Sequence, residues 1–199
     1  MALVKVTEVK DWIKIAGSDD DAVITQILDS ALNRVEEYLN FTLETNTYTA
    51  EKYDGTGTNK LVLYQFPVTS ITTLEVYDGL DSDGAEVWDT WAQNTDYDRL
   101  VVVKGGGYIY LDGAWFPYGN QNIRMTYVAG WSTTTVPEKI IKAILDLCYI
   151  YYHAIRSDKS LNKTSDVRQI GSGSSTITYD TEAEKKILES IASFKIWNV

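Results

Sequence analysis

Residues Ile123 to Tyr152 read IRMTYVAGWSTTTVPEKIIKAILDLCYIYY, and this stretch decides the fold. Its first part alternates apolar and polar residues up to Tyr127, the period of a half-buried strand. Gly130 breaks the alternation, and Pro137, whose φ is fixed at a helix-compatible value, opens a helix. From there Ile141, Ile144, Leu145, Cys148, Tyr152 and Ile155 recur at helical spacing, to about Arg156. A β-patterned block therefore gives way to a helix, and the chain must combine the two.

Upstream of this handover the period is two from Thr45 to Val128. Thr47–Tyr53, Lys60–Phe66, Ser70–Tyr77, Arg99–Val103, Tyr108–Leu111 and Asn122–Val128 read as short strands. Turn formers separate them: Asp54-Gly55, Asp78-Gly79, Gly105-Gly106-Gly107 and Asp112-Gly113. Pro67 suits a kink between strands. Before the block come two helical patterns. The first runs from about Glu8 to Ala16, with Thr7 as cap, Val9, Trp12, Ile13 and Ala16 as apolar face, and Gly17 as stop. The second takes Ser18 as cap, places Asp19, Asp20 and Asp21 at the positive end of the helix dipole, and carries its stripe from Ile24 to Leu39. After the third helix, residues 157–180 are polar and contain GSGSS, a composition that predicts a mobile loop. A last helix is expected from Thr181 to Ile196, with Glu184 completing a capping box and Ile187, Leu188, Ile191 and Phe194 as its stripe. The expectation is an α+β fold. A bundle of about four helices forms from 1–44 and 129–199, an antiparallel β subdomain is inserted at 45–128, and a loop at 157–180 lies within the helical part.

Composition narrows the function. The 199 residues carry a formal net charge of -10, and an acidic surface repels the phosphates that dominate non-specific nucleic-acid affinity. A DNA-gripping role is thus disfavoured. One cysteine, Cys148, excludes an intrachain disulfide and a cysteine-based zinc cluster. No apolar run reaches transmembrane length, and MALVKVTEVK does not read as a signal peptide, so cytoplasmic synthesis without membrane attachment is expected.

Motifs with chemical potential resolve into structural ones. DGLDSDG (Asp78–Gly84) superficially resembles a calcium loop, but aligning Gly84 with the obligatory glycine puts Gly79 and Thr90 where carboxylates belong. A solvated hairpin turn is the better reading. Asp54–Lys60 and Lys104–Gly107 are glycine-rich but lead into strands, whereas a phosphate loop must lead into a helix. His153, the one histidine, shares a polar helix face with Lys142, Asp146, Tyr149 and Arg156 and is expected at the surface. Cys148 lies in the apolar stripe. No catalytic set, metal site or cofactor site emerges. What stands out is aromatic: Trp88, Trp91, Trp115 and Phe116 crowd the β block and its turns. They are candidate partner contacts, with a carbohydrate-binding or tail-associated β module as the alternative.

Four stretches in this order resemble the head-tail connector (adaptor) proteins of tailed bacteriophages, in the longer form with a β insertion. They are VTEVKDWIKIAGSDDDAVITQILDSALNRVEEYLN (from Val6), KLVLYQFPVTSITTLEVYDG (from Lys60), TYVAGWSTTTVPEKIIKAILDLCYIYY (from Thr126) and RQIGSGSSTITYD (from Arg168). Residues 81–118 match no detailed pattern of that family. The resemblance implies a non-enzymatic protein of the virion neck, made in the host cytoplasm. It would form a ring of copies, commonly a dodecamer, between the portal protein and a neck or tail-completion protein. DNA would pass through the ring without specific binding. Arg168, Gln169 and Ile170, in the loop before the last helix, are the expected contacts.

Overall fold

Residues 3–103, 107–156 and 181–195 are described by the computed structural model. Within them the elements run α1 (Val6–Ile13), α2 (Asp21–Leu39), β1 (Asn46–Gly55), β2 (Lys60–Val62), β3 (Val68–Leu80), β4 (Glu86–Thr90), β5 (Arg99–Val103), β6 (Tyr108–Asp112), β7 (Gly119–Ala129), α3 (Glu138–Arg156) and α4 (Thr181–Ser190). The fold is α+β, with four helices and two antiparallel sheets among the described residues. Its contacts form two compact units: a helical one of Ala2–Asn40 with Val136–Lys195, and a β one around Phe41–Thr135.

In the helical unit the apolar spacing places the helices, but the caps differ from expectation. Thr7 lies inside α1; instead the Glu8 carboxylate accepts the Lys5 N–H at 2.7 Å, satisfying a donor at the helix start. The helix stops before Gly17, at Lys14 in the left-handed region (φ 63). Asp20, not Ser18, flanks α2, which ends on left-handed Asn40 with its N–H on the Glu36 carbonyl at 2.8 Å. Helix α3 opens as the proline predicts, the Pro137 carbonyl accepting the Ile140 N–H at 2.9 Å. It buries more than one stripe: Ile140, Ala143, Leu147 and Tyr151 are covered as well as Ile144, Leu145, Cys148 and Tyr152. The cause is its central position, since α3 packs against α1, α2 and α4. The last helix ends at Ser190 and continues as a short 3-10 turn, Ala192–Phe194, with Leu188 and Ile191 buried. Among the described residues no helix is long and apolar enough to cross a membrane.

The β unit holds a four-stranded sheet, order β1-β7-β3-β4, and a three-stranded sheet, order β2-β6-β5. Both feed one core that includes Tyr53, Leu74, Ile123, Met125 and Tyr127 from the first sheet and Leu61, Ile109 and Leu111 from the second. The expected strand Lys60–Phe66 is a strand only over Lys60–Val62, although the alternation persists beyond it, with Leu61 and Leu63 buried and Val62 and Tyr64 exposed; a cis Phe66–Pro67 bond follows. Strand β4 was not expected: Glu86–Thr90 is short, acidic and largely exposed, so no alternating stripe marks it. Its pairing with β3 makes the acidic stretch a hairpin turn. There the Asp81 carboxylate accepts the Asp83 and Ala85 N–H groups at 2.9 and 2.8 Å. At the start of the handover segment, Gly130 is required twice over. Its φ is +108, and a Cβ there would strike the Glu44 backbone. Beside it Phe41, Phe66 and Trp131 pack ring against ring, with centroids 4.4 to 5.7 Å apart.

Candidate interaction surfaces

The Trp115–Tyr118 loop joins β6 to β7, and its four residues are divided between core and solvent. Phe116 is 0% exposed in the β core and its N–H donates to the Thr58 carbonyl at 2.8 Å. The Asn122 side chain clamps the other end, accepting the Gly55 N–H at 2.8 Å and donating to the Pro117 carbonyl at 3.0 Å. Gly55 lies so close to that carbonyl that a Cβ would occupy the same space. A loop anchored in this way displays Trp115 and Tyr118 at 72% and 88% exposure. Phe116, expected as a contact alongside Trp115, is thus the anchor and has no surface to offer. The reason is local: the Phe116 N–H bond to the Thr58 carbonyl holds this one loop residue over the β core. Around the loop lie three carboxylates. Asp54 accepts the Gln121 N–H at 2.7 Å, Asp98 packs against Gly113, and Asp112 pairs with Arg99 at 2.7 Å.

The other two tryptophans are differently placed. Trp88, on β4, has the Arg124 guanidinium 4.4 Å and the Lys52 ammonium 5.2 Å from its ring centre, and Tyr77 edge-on at 5.6 Å. Arg124 is itself held by Glu75 at 2.8 and 2.6 Å, which raises the guanidinium pKa. Lys52 sits on Glu86 at 2.7 Å and, as the main cause, lowers that carboxyl's pKa. A ring already covered by two cations offers little free face for stacking a sugar. Trp91 is half-buried and packs against the β core, its N–H donating to the Leu74 carbonyl at 2.8 Å.

One constellation had no signal in the sequence. Between Tyr48 and Glu51 strand β1 carries a bulge, with Ala50 at φ 53 and its N–H on Thr126 Oγ1 at 3.1 Å. The extra residue shifts the parity of the strand, so Tyr48, Glu51 and Tyr53 share one face. Glu51 there accepts hydrogen bonds from the hydroxyls of Tyr53 and Tyr127, which are themselves 2.7 Å apart. Burial, then the bond to Glu51, pushes both phenols above the ordinary tyrosine range. An alternation count through Ala50 would misplace Glu51, and only the positive φ at Ala50 would reveal the shift.

On the helical unit, a groove of about 350 Å³ runs between α1 and the start of α3, lined by Trp12, Glu138, Lys139, Ile141, Lys142 and Leu145. Trp12 is 43% exposed, with the Lys142 ammonium 5.8 Å from its ring centre. Ion pairs tie distant helices together: Arg34 to Glu184 at 2.6 Å, and Asp20 to Arg156, with the Tyr152 hydroxyl also donating to Asp20 at 2.7 Å. Glu184, expected in a capping box, is therefore engaged by α2. His153 is exposed against Tyr149, and Cys148 is buried, its thiol pushed up to about 12 by desolvation and so unreactive at neutral pH. Arg168, Gln169 and Ile170 lie outside the described residues.

Three solved structures share this fold across nearly the whole chain. One, described as the neck of an empty GTA particle computed with C6 symmetry, aligns with TM-score 0.57 at 18% identity, covering 99% of this chain and 91% of that one. A second, the neck of a native GTA particle computed with C12 symmetry, gives 0.53 at 19%, covering 98% and 89%. A third, the virion of a native gene transfer agent particle, gives 0.53 at 20%, covering 99% and 91%. No curated protein sequence matches the chain. The family model for the head completion protein matches residues 2–193, so the chain belongs to the head completion protein family and is a structural protein rather than an enzyme.

Proposed function

We propose that this protein is a ring-forming component of the neck of a tailed-phage-like particle, joining the portal to the tail or to the next neck protein. The observation that carries the reading is the family match over residues 2–193, supported by a fold shared over 99% of the chain with a component of a particle neck. The net charge of -10 suits a ring through which DNA passes, because a negative lumen does not hold phosphates. Copies of the same chain are the lateral partners, in a ring of twelve. The portal and a neck or tail-completion protein are the axial ones, contacted in part through Arg168, Gln169 and Ile170. The test is assembly on a portal ring. Mixed with the portal protein, the purified chain should add a ring of density in negative-stain images, and the complex should gain the mass of about twelve copies by native mass measurement. A portal that gains neither density nor mass would refute the assignment.

A further inference from the structure

We propose that neighbouring copies are joined head to tail, the aromatic tip at Trp115 and Tyr118 of one copy seating in the Trp12 groove of a second copy. This rests on the ring reading and supplies its lateral contact. Three observations on the two surfaces carry it.

First, the tip is pre-organised. Phe116 in the core and the Asn122 clamp hold the backbone on both sides of Trp115 and Tyr118, so little loop freedom is lost when their rings are buried. Large, rigid aromatics of this kind dominate interface energetics. Second, the sizes agree. A groove of about 350 Å³ with Trp12, Ile141 and Leu145 as apolar lining is at the scale of one or two aromatic side chains. Third, the tip is acidic and the groove is not: Asp54, Asp98 and Asp112 lie around the tip with Arg99 on Asp112 alone, whereas at the groove Lys142 pairs with Asp146 at 2.5 Å and Lys139 stands beside Glu138. Elsewhere in the chain the pairing of a cation with an aromatic ring recurs, as in Lys60 4.1 Å from Tyr108 and Arg124 4.4 Å from Trp88. Lys139 of one copy would treat the incoming rings of another in the same way. Because tip and groove are different surfaces, the contact is heterologous and repeats from copy to copy, as closing a ring demands.

Disulfide trapping tests the contact even if free copies associate weakly. Asn120→Cys places a thiol beside the tip and Glu138→Cys one at the groove rim, while the native Cys148 is buried. Oxidised at high concentration, the double variant should give a ladder of dimers, trimers and higher species on a non-reducing gel. A mixture of the two single variants should stop mainly at dimers, since each copy then has one reactive end. Adding Trp115→Ala and Tyr118→Ala to the double variant should weaken trapping by about 30-fold, the scale of a lost interface hot spot. Three results would each overturn the proposal: no ladder, a ladder unaffected by the two alanines, or a fast-migrating monomer showing the tip closing on its own chain. Portal-binding images of the wild type separate this outcome from the ring reading. If rings form on the portal while trapping fails, only the tip-in-groove contact is lost.

Discussion

In the helical unit the buried side chains are mostly aliphatic and the hydrogen-bonding groups lie at the rim; in the β unit hydroxyls and a carboxylate are drawn onto the core face of the sheet. Helix α3 buries Ile140, Ile144, Leu147 and Cys148, and the charged links Arg34–Glu184 and Asp20–Arg156 stay partly in solvent. Strands β1 and β7 instead bury Tyr53 and Tyr127 and bond both hydroxyls to Glu51. The difference teaches that the helical unit is specified mainly by periodicity and volume, whereas the β unit also depends on satisfying particular polar atoms. Each of the following substitutions presses on one side of that contrast.

Ile144→Asp should have the largest effect. Ile144 is fully buried on the helix that touches the other three, so an aspartate there is an uncompensated charge costing about 4 kcal/mol or more. Thermal unfolding followed by circular dichroism should show the loss of stability, and an unchanged melting profile would contradict the packing of α3. Next comes Phe116→Ala in the β unit, where an emptied aromatic site costs roughly 3–4 kcal/mol. Hydrogen exchange should lose protection first in β6 and β7. If instead protection there is unchanged, Phe116 is not the anchor of the Trp115–Tyr118 loop.

The same contrast explains what could be read from the chain. Helices α2 and α3 were legible because Ile24, Ile27, Leu28, Ala31 and Val35, or Ile144, Leu145 and Cys148, repeat with one period over five turns. The caps of α1 and α2 were not, since Thr7 and Ser18 are as suitable chemically as Glu8 and Asp20, and only the tertiary course of the chain chooses. Likewise Glu184 reads as a local cap until α2 brings Arg34 to it. The β block was legible as strands but not in its details: β4 has no stripe, and the bulge at Ala50 reverses parity without a glycine to announce it. Trp88, Trp91, Trp115 and Phe116 look equivalent in sequence. The sheet makes one a ring under cations, one a core flank, one a display residue and one an anchor.

Tyr53→Phe isolates the polar contribution in the β unit. It removes one hydroxyl while Tyr127 still donates to Glu51, so the expected cost is about 1 kcal/mol. The pH dependence carries the sign. Both phenols have folded pKa values above the ordinary 10.0, so their contribution is present below pH 10.0 and is lost as pH rises beyond it. Denaturant titrations from pH 8 to about 11 should show wild-type stability falling more steeply than that of Tyr53→Phe. Parallel curves would mean that the hydroxyl cluster is not coupled to folding.

The smallest effect belongs to the rim of the helical unit, and it runs in the opposite direction along the pH axis. The Tyr152 hydroxyl first, and then the Arg156 guanidinium through both its hydrogen bond and its charge, hold the Asp20 carboxyl below its ordinary 3.8, so the folded state favours the ionised form. That contribution is fully present above pH 3.8 and is lost as pH falls through 3.8 towards the lowered folded value. Solvent and salt weaken it, because Arg156 is exposed. Asp20→Asn should therefore melt slightly below the wild type at neutral pH, with the gap closing in acid and shrinking in high salt. Tyr152→Phe and Arg156→Gln should each remove part of the same acid-sensitive gap, since hydroxyl and guanidinium both favour the ionised carboxyl. Should Arg156→Gln instead close the gap entirely, the charge rather than the hydroxyl fixes Asp20. The helical unit would then depend on electrostatics at its rim more than on the hydrogen bond from Tyr152.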